Sequence, residues 1–403
     1  IGQVIPEINK FATDINTIVF KRPLAPEFEA PENTQRVAAP NRGFIVSGQG
    51  MVMGGAPGGT DASFWRSRDV DHLITAMAFG DVNNDGTKEI VYVSDHDLYI
   101  SQLVNNALVP VAQVARNRAN TYISVDVADI NKNGTPEIFI SALTAEENRV
   151  SSVVLEFDGS AYRELLTRSP FVYRVVKSEN EDPVLMGQKI EDKEGKGVFG
   201  SKISIMESNG SNYLPRDTVL ASGLANVLGV TLADLEGTGT KNAIAFNRND
   251  YIQLFANERS VSWTGTDKLG GNMIRFMMTP ENRRTQAETE YFPMRIRTFD
   301  TNADGRPEVI TAANHDIAMT LVKGFRSFNK TRIQALSWDS LGIFPAWQTR
   351  SLSGRISDFF IEDFDNDGVK ELVIALVQKD KGSLLTTSAR STIFAYDLDL
   401  EAK

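Results

Sequence analysis

Short apolar runs alternate with polar, glycine-bearing segments along most of the chain, at lengths that suit β-strands and are too short for helices. Residues 76–79 and 90–93, 125–128 and 138–140, and 359–361 and 372–376 form such pairs, each flanking one acidic loop. The N-terminal segment differs. Ile8, Phe11, Ala12, Ile15, Ile18 and Val19 recur at three- and four-residue spacing, which predicts an amphipathic helix ended by Pro23. Pro26, Pro31 and Pro40 then mark an extended linker through Arg42. A helix this short is marginal alone. Its apolar face is therefore expected to pack on the β-domain, or to serve as the tail of a preceding domain or a docking element for another subunit. The predicted organisation is a helix and linker over residues 1–42, followed by a β-domain over 43–403.

The loops between paired runs share one spacing. They read Asp81-x-Asn83-x-Asp85-Gly86-x-x-Glu89, Asp129-x-Asn131-x-Asn133-Gly134-x-x-Glu137, Asp300-x-Asn302-x-Asp304-Gly305-x-x-Glu308 and Asp363-x-Asp365-x-Asp367-Gly368-x-x-Glu371. Oxygens at positions one, three and five point inward in turn, and glycine at six permits a sharp reversal. The carbonyl at seven (Thr87, Thr135, Arg306 or Val369) and the acid at nine complete a hard-cation cage. Calcium is the expected occupant, about four ions in all. The start resembles an EF-hand loop, but the acid arrives at position nine and the flanks are strand-like. One copy alone would read as an ordinary Asx-rich turn; four copies at identical spacing point to a repeat in which each unit buries its core against its neighbours. A fifth copy, Asp234-x-Glu236-x-Thr238-Gly239-x-x-Asn242, keeps the turn glycine and loses most of the charge, as expected of a fold relic without metal.

With Phe79-Gly80 before the first loop and Gly55-Ala56-Pro57 upstream, these repeats resemble the FG-GAP or VCBS repeats of integrin-α-type β-propellers and of many exported bacterial proteins. The resemblance extends over roughly residues 40–403 and is nearer to the broad bacterial class than to integrins. It implies an all-β propeller of four-stranded antiparallel blades, with calcium in the hairpin between the first two strands of a blade.

The intervals between loop starts count the blades. Asp81 to Asp129 is 48 residues, Asp129 to Asp234 is 105, Asp234 to Asp300 is 66 and Asp300 to Asp363 is 63, so the second interval holds a hidden blade. Its inner strand is predicted at residues 183–190, with 191–197 as a decayed charged loop and 202–206 and 213–220 as outer strands. That makes six blades. The strand-like residues 44–53 leave a seventh, irregular blade as the alternative. Residues 393–398 read as a third strand with no successor, whereas Phe64-Trp65-Arg66-Ser67 precedes the first inner strand much as Ala346-Trp347-Gln348-Thr349 precedes the last. The N-terminal segment is therefore expected to complete the C-terminal blade and remove open sheet edges.

Composition changes this picture little. At 403 residues and 41% apolar content the chain can fill one large propeller core. The net charge of −10 is accounted for by the loops, which carry three, two, three and four formal negative charges, so no basic partner and no nucleic-acid partner is inferred. No apolar run approaches the ~20 residues of a membrane span. Having no cysteine, the chain has neither disulfides nor thiolate chemistry. Weak calcium loops need the millimolar calcium found outside cells, which points to an exported protein of the periplasm or cell surface.

Catalytic patterns are poor. His72 leads into a strand, and His96 and His315 occupy matching places after their loops, as turn residues would. The glycine-rich residues 54–60 lack the lysine and helix of a phosphate loop. Trp65, Trp263, Trp347 and Trp338 sit near presumed outer strands, where packing between blades is the favoured role over glycan stacking. Long polar connections at 270–289 and 378–390 are places for a partner to bind. The sequence thus suggests a non-enzymatic protein- or glycan-binding or adhesion module that meets its partner through a propeller face or these loops. The alternatives are an assembly subunit of a cell-envelope complex or filament, and a carbohydrate-active enzyme of polysaccharide-lyase or hydrolase type.

Overall fold

The apolar runs pair as antiparallel strands, four to a sheet, and six such sheets form the blades of a propeller. The computed structural model describes residues 63–398 except 71, 116–118, 180, 191–201, 222, 224, 278–288, 317–325, 340 and 380–388, together with the backbone of upstream strands at 37–38, 45–47 and 52–53. The expected N-terminal helix, the glycine-rich residues 54–60, the charged residues 191–197 and much of the two long connections lie outside the described residues.

From the axis outward, blade 1 is Ala76–Gly80, Glu89–Val93, Asp97–Val104 and Ala107–Ala115. Blade 2 is Asn120–Ala128, Glu137–Thr144, Ser152–Phe157 and Tyr162–Ser169. Blade 3 is Phe171–Val176, Val184–Lys189, Ile203–Ser208 and Tyr213–Leu220, and blade 4 is Val230–Ala233, Asn242–Phe246, Tyr251–Phe255 and Val261–Lys268. Blade 5 begins Ile296–Phe299, Glu308–Asp316, Phe328–Asp339 and Gly342–Thr349. Blade 6 takes Arg355–Glu362, Glu371–Lys379 and Ala389–Asp397 from the C-terminal end and its fourth strand, Ser63–Arg66, from upstream of blade 1.

The first two strands of a blade are covered on both faces by neighbouring blades, so they read as continuous apolar runs; all five residues of Glu89–Val93 are buried. Fourth strands meet water, and Tyr162–Ser169 buries only its last residue. Closure follows the sequence expectation: Phe394 pairs with Arg66, Ala395 with Trp65 and Tyr396 with Phe64. The closing seam between blades 6 and 1 is a buried apolar cluster that includes Trp65, Met77, Phe79, Phe360, Phe364 and Ile393.

One expectation needs correction, and the seven-blade alternative falls away. The inner strand of the hidden blade is Phe171–Val176, and residues 183–190 contain instead its second strand, Val184–Lys189. The physical reason lies at the axis, where Val175 N and Arg174 Nη1 both bond the Asp126 carboxylate of blade 2, a contact open only to an innermost strand. The described strands within residues 44–53 form no seventh blade. Ile45–Ser47 pairs with the edge of blade 5 through Ile45 to Thr349 and Ser47 to Trp347, and Val52–Met53 pairs beyond it. Val37–Ala38, inside the expected linker, pairs with Ser63–Arg66.

Candidate metal centres

Each acidic loop joins the first strand of its blade to the second, so strand pairing fixes both ends: Gly80 faces Glu89 and Glu362 faces Glu371. Between these ends the backbone twice enters the left-handed region. Position four does so without glycine, at Asn84, Lys132, Ala303 and Asn366, with φ between 55° and 61°. Position six does so with glycine, at φ 87° for Gly86, 93° for Gly134, 83° for Gly305 and 90° for Gly368. A Cβ at any of these four glycines would meet nothing within 4 Å. Backbone conformation, and not crowding, is what requires glycine there.

The aspartate at position one closes the turn. Asp81 accepts the N–H of Asp85 and Gly86, Asp129 that of Asn133 and Gly134, and Asp300 that of Asp304 and Gly305, all at 2.7–3.2 Å. Asp234 bonds Thr238 and Gly239 in the same way, so this fifth loop keeps the turn with acids at positions one and three and none at positions five and nine.

The loops diverge at positions three and five. In the first and third, Asn83 Nδ2 donates to Asp85 and Asn302 Nδ2 donates to Asp304. In the second, Asn131 and Asn133 both donate to Glu156 of the third strand. The fourth has a carboxylate at every one of these places. Asp363, Asp365, Asp367 and Glu371 each bring an oxygen into one group within 4.8 Å of one another.

The acid at nine has a second duty that the spacing did not reveal. One of its oxygens accepts the N–H of position two in every loop: Val82 to Glu89, Ile130 to Glu137, Thr301 to Glu308 and Phe364 to Glu371, at 2.6–3.0 Å. The other oxygen distinguishes the loops. Glu89 Oε1 receives Asn83 and Gln102, Glu137 Oε1 receives Tyr213 of blade 3, and Glu308 Oε1 receives Ser337. Glu371 Oε1 is buried without a hydrogen bond, as is Asp363 Oδ1. Burial raises the Glu89 carboxyl to about 7. It raises Glu371 further, to about 8, helped by the charges of Asp365, Asp397 and Asp367. Four convergent acids, two with unspent buried oxygens, make a donor set that fits a hard divalent cation.

Tryptophans brace position two. Trp65 packs on Phe364 with ring centroids 5.3 Å apart, and its Nε1 donates to Asn106 O of blade 1. Trp347 Nε1 donates to Thr301 Oγ1 at 2.9 Å. Trp263 of blade 4 and Trp338 of blade 5 meet edge to face at 6.3 Å across a blade seam. All four serve packing.

Sequence reasoning missed the axis. Asp126 lies between the guanidinium groups of Arg174, at 3.1 Å, and Arg295, at 3.0 Å; Arg295 also reaches Asp358 at 3.3 Å. Asp358 Oδ2 accepts Met77 N, and Arg295 Nη2 donates to Val125 O at 2.7 Å. This buried network ties blades 1, 2, 3 and 6 to the strand entering blade 5. Burial pulls the Arg174 guanidinium down to about 9 while Asp126 opposes the shift, so it stays charged at neutral pH. A charged residue inside an otherwise apolar inner strand, as in Ser124-Val125-Asp126-Val127, was the available signal.

Above the network a cavity of about 60 Å³ opens to a vestibule of about 340 Å³ on the face that carries the acidic loops. The connection after the inner strand of blade 3 reaches over this mouth. Lys177 and Glu179 pair with Glu362 and Lys370 of blade 6, Glu181 with Lys241 of blade 4 and Asp182 with Lys132 of blade 2. Ion pairs between blades thus stand where the other blades have an acidic loop.

The histidines are separately engaged. His72 stacks on Tyr99 at 4.4 Å, His96, in the turn between the second and third strands of blade 1, places Nδ1 2.8 Å from Asn120 O at the start of blade 2, and His315 pairs with Lys330 near a strand end. Among the described residues no helix is long and apolar enough to cross a membrane.

Residues 81–140, which contain the first two acidic loops, match the family of FG-GAP-like repeats. No curated protein matches the chain. Solved structures with a similar chain course include BBS1N in complex with ARL6DN, at 9% identity over 84% of this chain and 99% of that one, TM-score 0.43. Another is the PQQ-bound aldose sugar dehydrogenase of Streptomyces coelicolor, at 13% identity over 85% and 100%, TM-score 0.41. A third is the Dos1 propeller, at 9% identity over 89% and 74%, TM-score 0.39. At TM-scores below 0.5 these likenesses carry no argument about chemistry.

Proposed function

For a six-bladed propeller whose first two blades contain an FG-GAP-like repeat, we propose the role of a calcium-stabilised, non-enzymatic protein- or glycan-binding module of an exported protein. The observation that carries the metal half of this reading is Glu371. It is 2% exposed, shares a 4.8 Å cluster with three aspartates, and keeps one carboxylate oxygen without a hydrogen bond. A divalent cation would neutralise such an arrangement of like charges. Asp363, Asp365, Asp367 and Glu371, with the Val369 carbonyl, would hold calcium, and a bound ion would lock the hairpin between the first two strands of blade 6. The other three loops, with fewer acids and with side-chain amides already bonded to a carboxylate of the loop or, in the second, to Glu156, would bind more weakly. Sites in the weak class fill at extracellular calcium levels, which supports export.

The binding half rests on architecture. A ring locked by buried ion pairs presents its connecting loops on a rigid frame, the usual setting for recognition. The separate engagement of the three histidines supports a role without turnover. Purified full-length protein should retain an immobilised protein or glycan partner in a calcium-dependent manner and leave anionic polysaccharides intact; cleavage of such a polysaccharide at a rate proportional to protein would establish the enzymatic alternative instead.

A further inference from the structure

The inner strands of all six blades line the axial cavity, which presents Phe79, Asp126, Lys177, Thr231, Arg297 and Glu362 in turn. From this arrangement we propose that the cavity is a binding site for a small carboxylate, held by Arg297 and Lys177. The inference is independent of metal binding, since none of these side chains belongs to an acidic loop.

Charge is the first argument. Around the axis Arg174, Arg295, Arg297 and Lys177 meet the carboxylates of Asp126, Asp358 and Glu362. Four cations face three anions, and the deeper members are buried, where an uncompensated charge is costly. An anion in the cavity reduces that excess.

The unspent donors are the second argument. Arg174 uses both terminal nitrogens, on Asp126 and on Ile296 O, and Arg295 uses both, on Asp126 and Val125 O. Arg297 spends only Nε, on Phe359 O at 2.5 Å. Its Nη2 stands 4.0 Å from Asp358, beyond hydrogen-bond reach, and among the described residues neither terminal nitrogen has an acceptor. Arg297 occupies an inner strand, yet 16% of its side chain is accessible, and the cavity is what it lines. Lys177 Nζ, 3.3 Å from Phe79 O and 3.4 Å from Glu362, adds a donor at the rim.

Shape selects the class of anion. A planar guanidinium fork with two free nitrogens matches a planar carboxylate in bidentate fashion. With room for one water costing about 10–15 Å³ on the same measure, the cavity of about 60 Å³ admits an anion of a few heavy atoms and excludes a bulky one. The vestibule, which shares Lys177, Thr298 and Glu362 with the cavity, is the route in.

The test uses the full chain with acetate, formate and inorganic phosphate against chloride, at matched ionic strength and pH, read by thermal shift and by calorimetry. Acetate or formate is expected to raise the melting midpoint saturably, and Arg297→Met to weaken that binding at least about tenfold, the loss expected for charge-assisted hydrogen bonds. Lys177→Met should weaken it by less. If Arg297→Met fails to fold, Arg297→Lys decides: it keeps the charge without the fork, so carboxylate binding should persist at reduced affinity. The proposal is overturned if neither carboxylate stabilises the protein beyond chloride, if wild type and variants respond alike, or if phosphate binds while the carboxylates do not.

Discussion

Replacing Asp126 by asparagine removes one charge from the axis without changing the shape of the side chain. In the wild type this carboxylate answers Arg174 at 3.1 Å, Arg295 at 3.0 Å and the backbone N–H of Val175 at 3.2 Å. After Asp126→Asn the amide oxygen can stand where Oδ1 receives both Arg174 and Arg295, but the amide NH2 then faces the Val175 N–H that Oδ2 had accepted, and Asp358 is left as the one carboxylate countering Arg174, Arg295 and Arg297 at the axis. Breaking a buried pair by removing one partner costs about 3–5 kcal/mol. Two guanidinium groups lose their opposing charge here and one backbone N–H its acceptor, so the upper half of that range applies. The variant should melt at least about 5 °C below wild type, even allowing for the smaller shift per kcal/mol in a chain of this size. Asp182→Asn is the control, because its pair with Lys132 has side chains 73% and 79% exposed and is expected to change stability by under about 1 kcal/mol. Melting followed by circular dichroism at matched pH and salt reads both. Equal midpoints for the two variants would refute the view that the axial network locks the ring.

Three further outcomes follow from the same geometry. Gly368→Ala places a Cβ in open space at φ 90°, so its cost is purely conformational, about 1–2 kcal/mol, and removing the metal should not abolish it; denaturant titration with and without chelator checks this. In metal-free protein, Glu371, raised to about 8 from an ordinary 4.5, binds its proton more tightly folded than unfolded. Its contribution is therefore complete below the ordinary carboxylate range and is lost as pH rises toward about 8, so the chelated protein should melt progressively lower over that window, a fall that Glu371→Gln should lessen. A chain starting at Ser67 lacks the fourth strand of blade 6 and exposes the edge of Ala389–Asp397; it should aggregate on size exclusion where the full chain does not.

Much of this was legible because the acidic loop encodes backbone and chemistry together. Gly86 and its equivalents marked the reversals, the acids at position nine marked where second strands begin, and the leftover strand at Phe64-Trp65 marked the closure. Blade 3 was misplaced because its connection has lost that code. Phe171–Val176 and Val184–Lys189 are both apolar, and the residues between them, Lys177, Glu179, Glu181 and Asp182, make ion pairs to three other blades in place of a loop motif. The difference among the four loops was visible as asparagine against aspartate at positions three and five, but its consequence, an amide already bonded to a nearby carboxylate, needed coordinates. The axial network was invisible for a different reason: its members are spread from Asp126 to Asp358 and meet only when the ring closes.

The central claim is that a hard cation completes the fold at residues 363–371. Elemental analysis of the purified chain, joined to its melting midpoint in calcium and in excess chelator, tests it most directly. The account predicts bound calcium and a midpoint that falls sharply on chelation, with Asp365→Asn already low and insensitive to chelator. Absence of calcium together with an unchanged midpoint would contradict it, and the four loops would then be turns alone.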